Sequence, residues 1–147
     1  MIGDLPATDA ATAARIVEIQ QAAYSVEAGL IGFDGIPALH ESAADIMART
    51  DLTWRGATVD GRLAGLIAWL VDTDGVLDID RLAVDPAYAR RGLGRALVRA
   101  VPAAYPITVS TGAANEPAIA LYLGEGFRRV GEHEVAPGVF LARFRRR

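Results

Sequence analysis

The sequence predicts an α+β fold, with one mostly antiparallel central sheet flanked by about four helices in the order α-α-β-β-β-α-β-α-β-β. Three observations point to it. Apolar residues in the first third recur at helical spacing. Two Asp-Gly pairs, Asp60-Gly61 and Asp74-Gly75, each sit between apolar runs of strand length, where a type I′ turn needs positive φ. Beyond them, helical and strand-like segments alternate before two closing strands.

Taken in order, the extreme N-terminus leaves room for a short strand. Thr8 and Asp9 are good N-caps for "ATAARIVEIQQAAYSVEA", which predicts a helix over about 9–24. "GLIGFDGIP", with Gly29, Gly32, Gly35 and Pro37, reads as a loop, and "ALHESAADIMART" as a second helix over roughly 38–49. The Asp-Gly pairs divide the next stretch into strands near 53–59, 62–72 and 76–84. A helix over about 93–104, a strand at "YPITVS", a helix over about 115–124 and strands near 127–134 and 138–145 complete the chain.

Residues 1–147 fit one domain, with 52% hydrophobic and 22% charged residues, a globular rather than a disordered composition. The absence of cysteine removes disulfides, thiolate metal sites and a cysteine nucleophile. His40 and His133 are the only histidines and lie far apart, so no metal site is expected. A serine triad would also need a Gly-x-Ser-x-Gly turn, which is missing. A net charge of −3 argues against nucleic acid as a partner. No apolar run approaches the roughly 20 residues that cross a bilayer, and "MIGDLPATDA" shows no leader pattern, so a cytoplasmic protein without a membrane partner is expected. Arg143 and Arg145 to Arg147 read as a solvated terminus or a cap on the last strand.

The chemistry is concentrated in "AVDPAYARRGLGRALVRAV", residues 83–101. Gly-x-Gly at a strand-to-helix junction serves a tight turn, or leaves a row of backbone N–H groups free to hold a phosphate. A nucleotide P-loop is excluded because no lysine follows the glycines. A dinucleotide fingerprint is excluded because its sixth position is Leu97, and the strand before it belongs to a hairpin series.

"LAVDPAYARRGLGRALV" resembles the acetyl-CoA-binding motif of the GNAT N-acetyltransferase superfamily, Arg/Gln-x-x-Gly-x-Gly/Ala. "NEPAIALYLGEGF", residues 115–127, resembles the family's Asn-x-x-Ala-x-x-Leu-Tyr-x-x-x-Gly-Phe. The two lie in the family's order, and the resemblance extends over residues 51 to 145. The helical first third is looser, its glycine-rich stretch being similar to that of bacterial members with no assigned acceptor. One position departs: Ala89 stands where the motif has Arg or Gln, with Arg90 and Arg91 after it. The resemblance implies a GNAT-like fold and acetyl-CoA as cosubstrate, without a metal. It implies that Arg90, Arg91, Gly92, Leu93, Gly94 and Arg95 wrap the pyrophosphate, chiefly through main-chain amides. It further implies that Leu82, Ala83 and Val84 hydrogen-bond the pantetheine arm like an added strand, and that Asn115 contacts the cofactor.

Tyr122 is the expected acid, since a phenol with a pKa near ~10 keeps its proton at neutral pH for a departing thiolate. An ammonium of pKa ~10.4 costs about 4–5 kcal/mol to neutralise at pH 7, so a carboxylate base is expected. Strict alternation along "VLDIDRLAV" would put Asp78, Asp80, Leu82 and Val84 on one face, and Asp80 is preferred as nearer the thioester. Asp78, Glu27 and Glu41 remain alternatives, as do both aspartates facing solvent or pairing with Arg81. Tyr24, Glu27, His40 and Glu41 surround a candidate acceptor pocket. The expected activity is direct acetyl transfer to a primary amine, of a small molecule first. A protein N-terminus or lysine is the alternative, and a non-catalytic acyl-CoA-binding module the second, against which Tyr122 counts. The exposed C-terminal strands leave room for a homodimer.

Overall fold

The computed structural model describes residues 1–147. Seven strands form one sheet: β1 (Ile2–Asp4), β2 (Thr53–Val59), β3 (Arg62–Val71), β4 (Leu77–Val84), β5 (Ile107–Gly112), β6 (Arg128–Ala136) and β7 (Val139–Arg146). Their spatial order is β1-β2-β3-β4-β5-β7-β6, and every pairing is antiparallel except β4 with β5. Helices α1 (Ala10–Ile31) and α2 (Ala43–Ala48) cover one face. Helices α3 (Leu93–Arg99) and α4 (Glu116–Gly124) cover the other. Ile16 and Ile19 of α1 and Ile46 of α2 pack on Leu66, Ala68 and Ala83. Leu97 and Val98 of α3 and Tyr122 of α4 pack on Ile67, Trp69, Ile79 and Phe144.

Local chemistry explains most boundaries. Asp9 caps α1 by accepting from the Thr12 amide at 3.0 Å. The helix was expected to stop near 24, yet it continues through Gly29 and ends at Gly32, whose φ of 68° forms the left-handed cap. A helical glycine costs only about 1 kcal/mol, and anchors beyond the expected end offset it. Tyr24 is buried, and Ile31 packs so closely on Gly112 that a Cβ there would lie 2.4 Å from Ile31 Cγ2.

The expected helix over 38–49 is instead a 3₁₀ turn (Pro37–His40) followed by α2. Ser42 and Asp45 form a reciprocal capping box that starts the helix afresh. Helix α3 stops at Arg99 rather than 104, because Pro102 keeps Val101 out of helical conformation. Asp60-Gly61 is the expected primed turn, with φ of 51° and 76°. Asp74-Gly75 is not: only Gly75 is left-handed, and Asp72 Oδ1 accepts from the amides of Asp74 and Val76 at 2.9 Å each, closing a longer loop. At the far end, the Arg146 guanidinium donates to Glu125 O at 3.0 Å and lies 4.9 Å from the Phe127 ring, so this terminal arginine fastens β7 to the end of α4.

The expected common face for Asp78, Asp80, Leu82 and Val84 is overturned. In the β3–β4 ladder Ala68 opposes Arg81 while Trp69 opposes Ile79, which leaves Asp80 as an extra residue in a bulge. The bulge reverses the alternation. Leu77, Ile79, Leu82 and Val84 face α3 and α4, whereas Arg81 and Ala83 face α1. Immediately beyond it β4 and β5 separate: their parallel pairing runs only from Leu77↔Ile107 to Ile79↔Val109. The sheet therefore contains a gap, and the candidate functional site is built around it.

Candidate active site

The Asp85 amide donates to Ala64 O on β3 at 2.8 Å, which sets the phase of the antiparallel ladder. Ala83 therefore directs its main-chain groups to β3, while Leu82 and Val84 direct theirs into the gap. Of the three residues expected to offer a strand edge, two have the required orientation and Ala83 does not. Tyr24 already reaches in from α1, its hydroxyl donating to Leu82 O at 3.3 Å.

Past the end of β4 the chain passes through Pro86–Tyr88 into the loop that opens α3. Arg90 has φ of 65° and Gly92 φ of 75°, so left-handed residues alternate with ordinary ones, the backbone pattern of an anion-binding nest. No amide from Arg90 to Arg95 donates to a protein acceptor, and the first hydrogen bond of α3 is Ala96 N to Gly92 O at 3.0 Å. Gly92 is the N-cap, and no side chain caps the helix. Gly94 faces α4, where a Cβ would just touch Leu121 Cδ2 at 3.4 Å. Leu93 packs against the core from the same turn. Of the arginines, Arg91 lies 5.4 Å from the Tyr88 ring and Arg95 reaches Glu125 at 3.6 Å, so neither is directed solely at a ligand. The donor set suits a diphosphate: unpartnered main-chain N–H groups, with guanidinium groups beside them.

The gap itself opens into a cavity of about 500 Å³. It brings together Tyr122, Asp80, Leu82, Asn115, Tyr24, Glu27 and Glu41, residues expected from the sequence to form the site. Tyr122 is 4% exposed, its ring packed on Phe127 (5.6 Å between centroids) and Phe144 (6.1 Å). Burial, and secondarily the charge of Glu27, raise its pKa above the ordinary phenol value, so the proton stays on. Burial and Glu27 act on Tyr24 in the same direction. Glu27 belongs to the face carrying α1 and Tyr122 to the opposite one, and both line the cavity because the sheet is open between them.

The carboxylates differ in their partners. Asp80 accepts from Arg81 Nε at 2.9 Å and lies 3.8 Å from Arg49 Nη2. Glu41 is bound by Arg81 and by Gln20 Nε2 at 3.1 Å, and Arg81, 5% exposed, lies 5.0 Å from the Trp54 ring. Glu27 has no cation partner and accepts from Thr111 Oγ1 at 3.1 Å. Thr111 in turn accepts from Asn115 Nδ2 at 3.4 Å, while Asn115 Oδ1 caps α4 through Ala118 N at 3.3 Å. Asn115 is therefore occupied at both ends within the protein.

Asp78 lies outside the cavity, where it accepts from Thr108 Oγ1 at 2.6 Å and burial raises its pKa. His40 Nε2 lies 2.6 Å from Asp34 O and closes the loop after α1. Sequence reasoning missed Thr111, Arg49, Ile31 and Phe33. Ile31 and Phe33 fell in the assumed loop, and nothing in "VSTGAA" marks Thr111 as the residue that orients Glu27.

The chain is 38% identical over 148 residues to UPF0157 protein YqkA of Bacillus subtilis (strain 168), a match that covers 98% of this chain and 43% of that protein. It thus spans less than half the length of the curated relatives it matches. The fold is similar to that of an aminoglycoside 6'-N-acetyltransferase complexed with coenzyme A (TM-score 0.77, 11% identity, 99% of this chain and 96% of the other). It is also similar to the ribosomal-protein-S18-alanine N-acetyltransferase of Escherichia coli (TM-score 0.71, 22% identity, 99% and 91%). The sequence profile of the Acetyltransferase (GNAT) family matches residues 14–127. On the family match across residues 14–127, more than half of its length, the chain belongs to the acetyltransferase (GNAT) family.

Proposed function

We propose that this chain is an acetyl-CoA-dependent N-acetyltransferase that acts by direct transfer to the primary amine of a small molecule. The observation that supports this best is the separation of β4 from β5 beyond Ile79 and Val109, with Tyr122 and Glu27 lining the opening from opposite faces. In this reading the amides of Arg90 to Arg95 hold the pyrophosphate, and the groups of Leu82 and Val84 that face the gap bind the pantetheine arm. Acetyl-CoA supplies the activated thioester. Ala83 contributes packing, and Asn115 holds Thr111 and the start of α4 in place.

Tyr122 holds its proton at Oη beside the gap and donates it to the leaving sulfur. The base is assigned to Glu27 in preference to Asp80. Asp80 is bound directly by Arg81, with Arg49 nearby but held chiefly by Asp51, and so attracts an ammonium less than Glu27, which is oriented by a hydroxyl and has no cation partner. Glu41, bound to Arg81, shapes the pocket instead. With no cysteine in the chain and no serine paired with a histidine, transfer in this reading is direct, within a ternary complex and with sequential kinetics.

The test combines coenzyme A binding by calorimetry with thiol release from acetyl-CoA across a broad set of primary amines. Saturable binding with turnover of at least one amine is expected. Binding without any turnover would leave only the acyl-CoA-binding module.

A further inference from the structure

Glu27 is fastened to the end of β5 at two adjacent residues. It accepts from Thr111 Oγ1 at 3.1 Å, and one turn further along α1 Ile31 packs on Gly112. Oε1 takes the bond from Thr111, while Oε2 accepts from no protein donor. Thr111 and Asn115 are both buried, so their polar groups depend chiefly on protein partners.

The direction of these bonds is fixed from the far end. Asn115 Oδ1 accepts from the Ala118 amide at 3.3 Å, and a main-chain N–H can only donate, so the Asn115 amide has one orientation. Its Nδ2 is thereby turned to Thr111 Oγ1 at 3.4 Å. A hydroxyl carries one proton. With a donor already on its oxygen, Thr111 gives that proton to the acceptor within reach, which is Glu27. The turn between the two residues, in which Asn115 N donates to Gly112 O at 2.9 Å, keeps them at this spacing.

We infer that Asn115 and Thr111 are positioning residues for proton transfer at Glu27: Asn115 commits the Thr111 proton to Oε1, which leaves Oε2 to receive the proton of the acceptor. There an N–H bond of the ammonium breaks, an O–H bond forms at Oε2, and the electron pair stays on nitrogen to attack the thioester. This deepens the acetyltransferase reading and rests on Glu27 as its base. Asn115, expected from its motif to contact the cofactor, acts through Thr111 instead. Tyr122 lies about two turns further along α4, so the helix that carries the acid also aims the base.

The experiment uses the full chain with acetyl-CoA and a panel of n-butylamine, spermidine, tyramine and glycyl-lysine, read by thiol release. Thr111→Val should lower kcat/KM at pH 7 by about tenfold with acetyl-CoA affinity unchanged, and by less at pH 9, where more of the amine is already neutral. Thr111→Ser, which keeps the hydroxyl, should restore most of that loss. Asn115→Asp keeps an oxygen for the Ala118 amide but offers the Thr111 proton a second acceptor, and should approach the loss in Thr111→Val. Asn115→Ser, neutral and too short to reach Thr111, should leave coenzyme A affinity intact in calorimetry. In a Glu27→Gln background Thr111→Val should have no further effect, whereas a merely structural residue would add its full effect. Should Thr111→Val fail to fold by circular dichroism, Asn115→Asp takes its place in that cycle. Undiminished turnover in these variants, a loss that persists without Glu27, or weaker coenzyme A binding in Asn115→Ser would overturn this inference and leave the acetyltransferase reading standing. Unchanged turnover in Glu27→Gln would overturn the base assignment and this inference together, as would coenzyme A binding without turnover of any amine in the panel.

Discussion

Tyr122 and Glu27 are a phenol and a carboxylate from opposite faces of a sheet, and the charge of the carboxylate acts on the phenol. Burial first, then the neighbouring charge, raises the pKa of Tyr122. A descending limb of kcat caused by loss of its proton therefore lies above the ordinary phenol value of ~10, and the profile stays level from pH 8 to 10. Tyr122→Phe should lower kcat by about 10²-fold with acetyl-CoA affinity unchanged, as expected for a proton donor acting at departure. A basic limb below pH 10 that vanishes in this variant would contradict the assignment. The two acids can be separated in the same way. Glu27→Gln should reduce kcat/KM by about 10²-fold at pH 7, and more mildly at pH 9, where more of the amine is already neutral. Asp80→Asn should leave the pH profile in place and act on stability, because its partners are Arg81 and Arg49. The reverse ranking in steady-state kinetics would return the base to Asp80.

At the scale of elements, the decisive features are the loop before α3 and the bulge in β4. Gly92 has φ of 75° with open space where a Cβ would point, so a side chain there meets conformational strain rather than a clash. A β-branched residue at such φ costs of order 1–3 kcal/mol and would move the amides of the turn. Gly92→Val should therefore weaken coenzyme A binding by about tenfold or more in titration calorimetry, with the melting temperature little altered. Unchanged affinity would place the pyrophosphate elsewhere. This glycine was legible in the sequence because the motif records a backbone requirement. The bulge was not. "VLDIDRLAV" breaks its alternation at the adjacent polar pair Asp80-Arg81, but such a break is equally the end of a strand, and only the pairing of β4 with β3 shows it to be an extra residue within one. The length of α1 was hidden for a related reason: Gly29 is a poor helix residue locally, but Ile31 on Gly112 holds the last turns in place.

Across the whole molecule, the cluster of Arg81 with Glu41, Gln20 and Asp80 joins α1, the segment before α2, and β4 beside the cavity. Removing the cation would leave Glu41 in a largely buried position with only Gln20 to satisfy it. Arg81→Ala should cost about 3 kcal/mol of folding stability, read by denaturant unfolding, and loosen the acceptor side first. A cost below about 1 kcal/mol would mean that water replaces the guanidinium and the cluster is not a structural fastening.

By itself the sequence determined the fold class, the two motifs and the residue types of the site. These rest on short-range chemistry: helical and strand periodicity, caps, turns that need glycine, and a strand-to-helix junction with free amides. Only the tertiary structure decided which carboxylate is free, because ion pairs join residues as far apart as Glu41 and Arg81. It also decided that Glu27 and Tyr122, from opposite faces of the sheet, line one cavity. Those outcomes depend on strand register and on where β4 and β5 separate. Both are set by packing among distant segments, which no local pattern encodes.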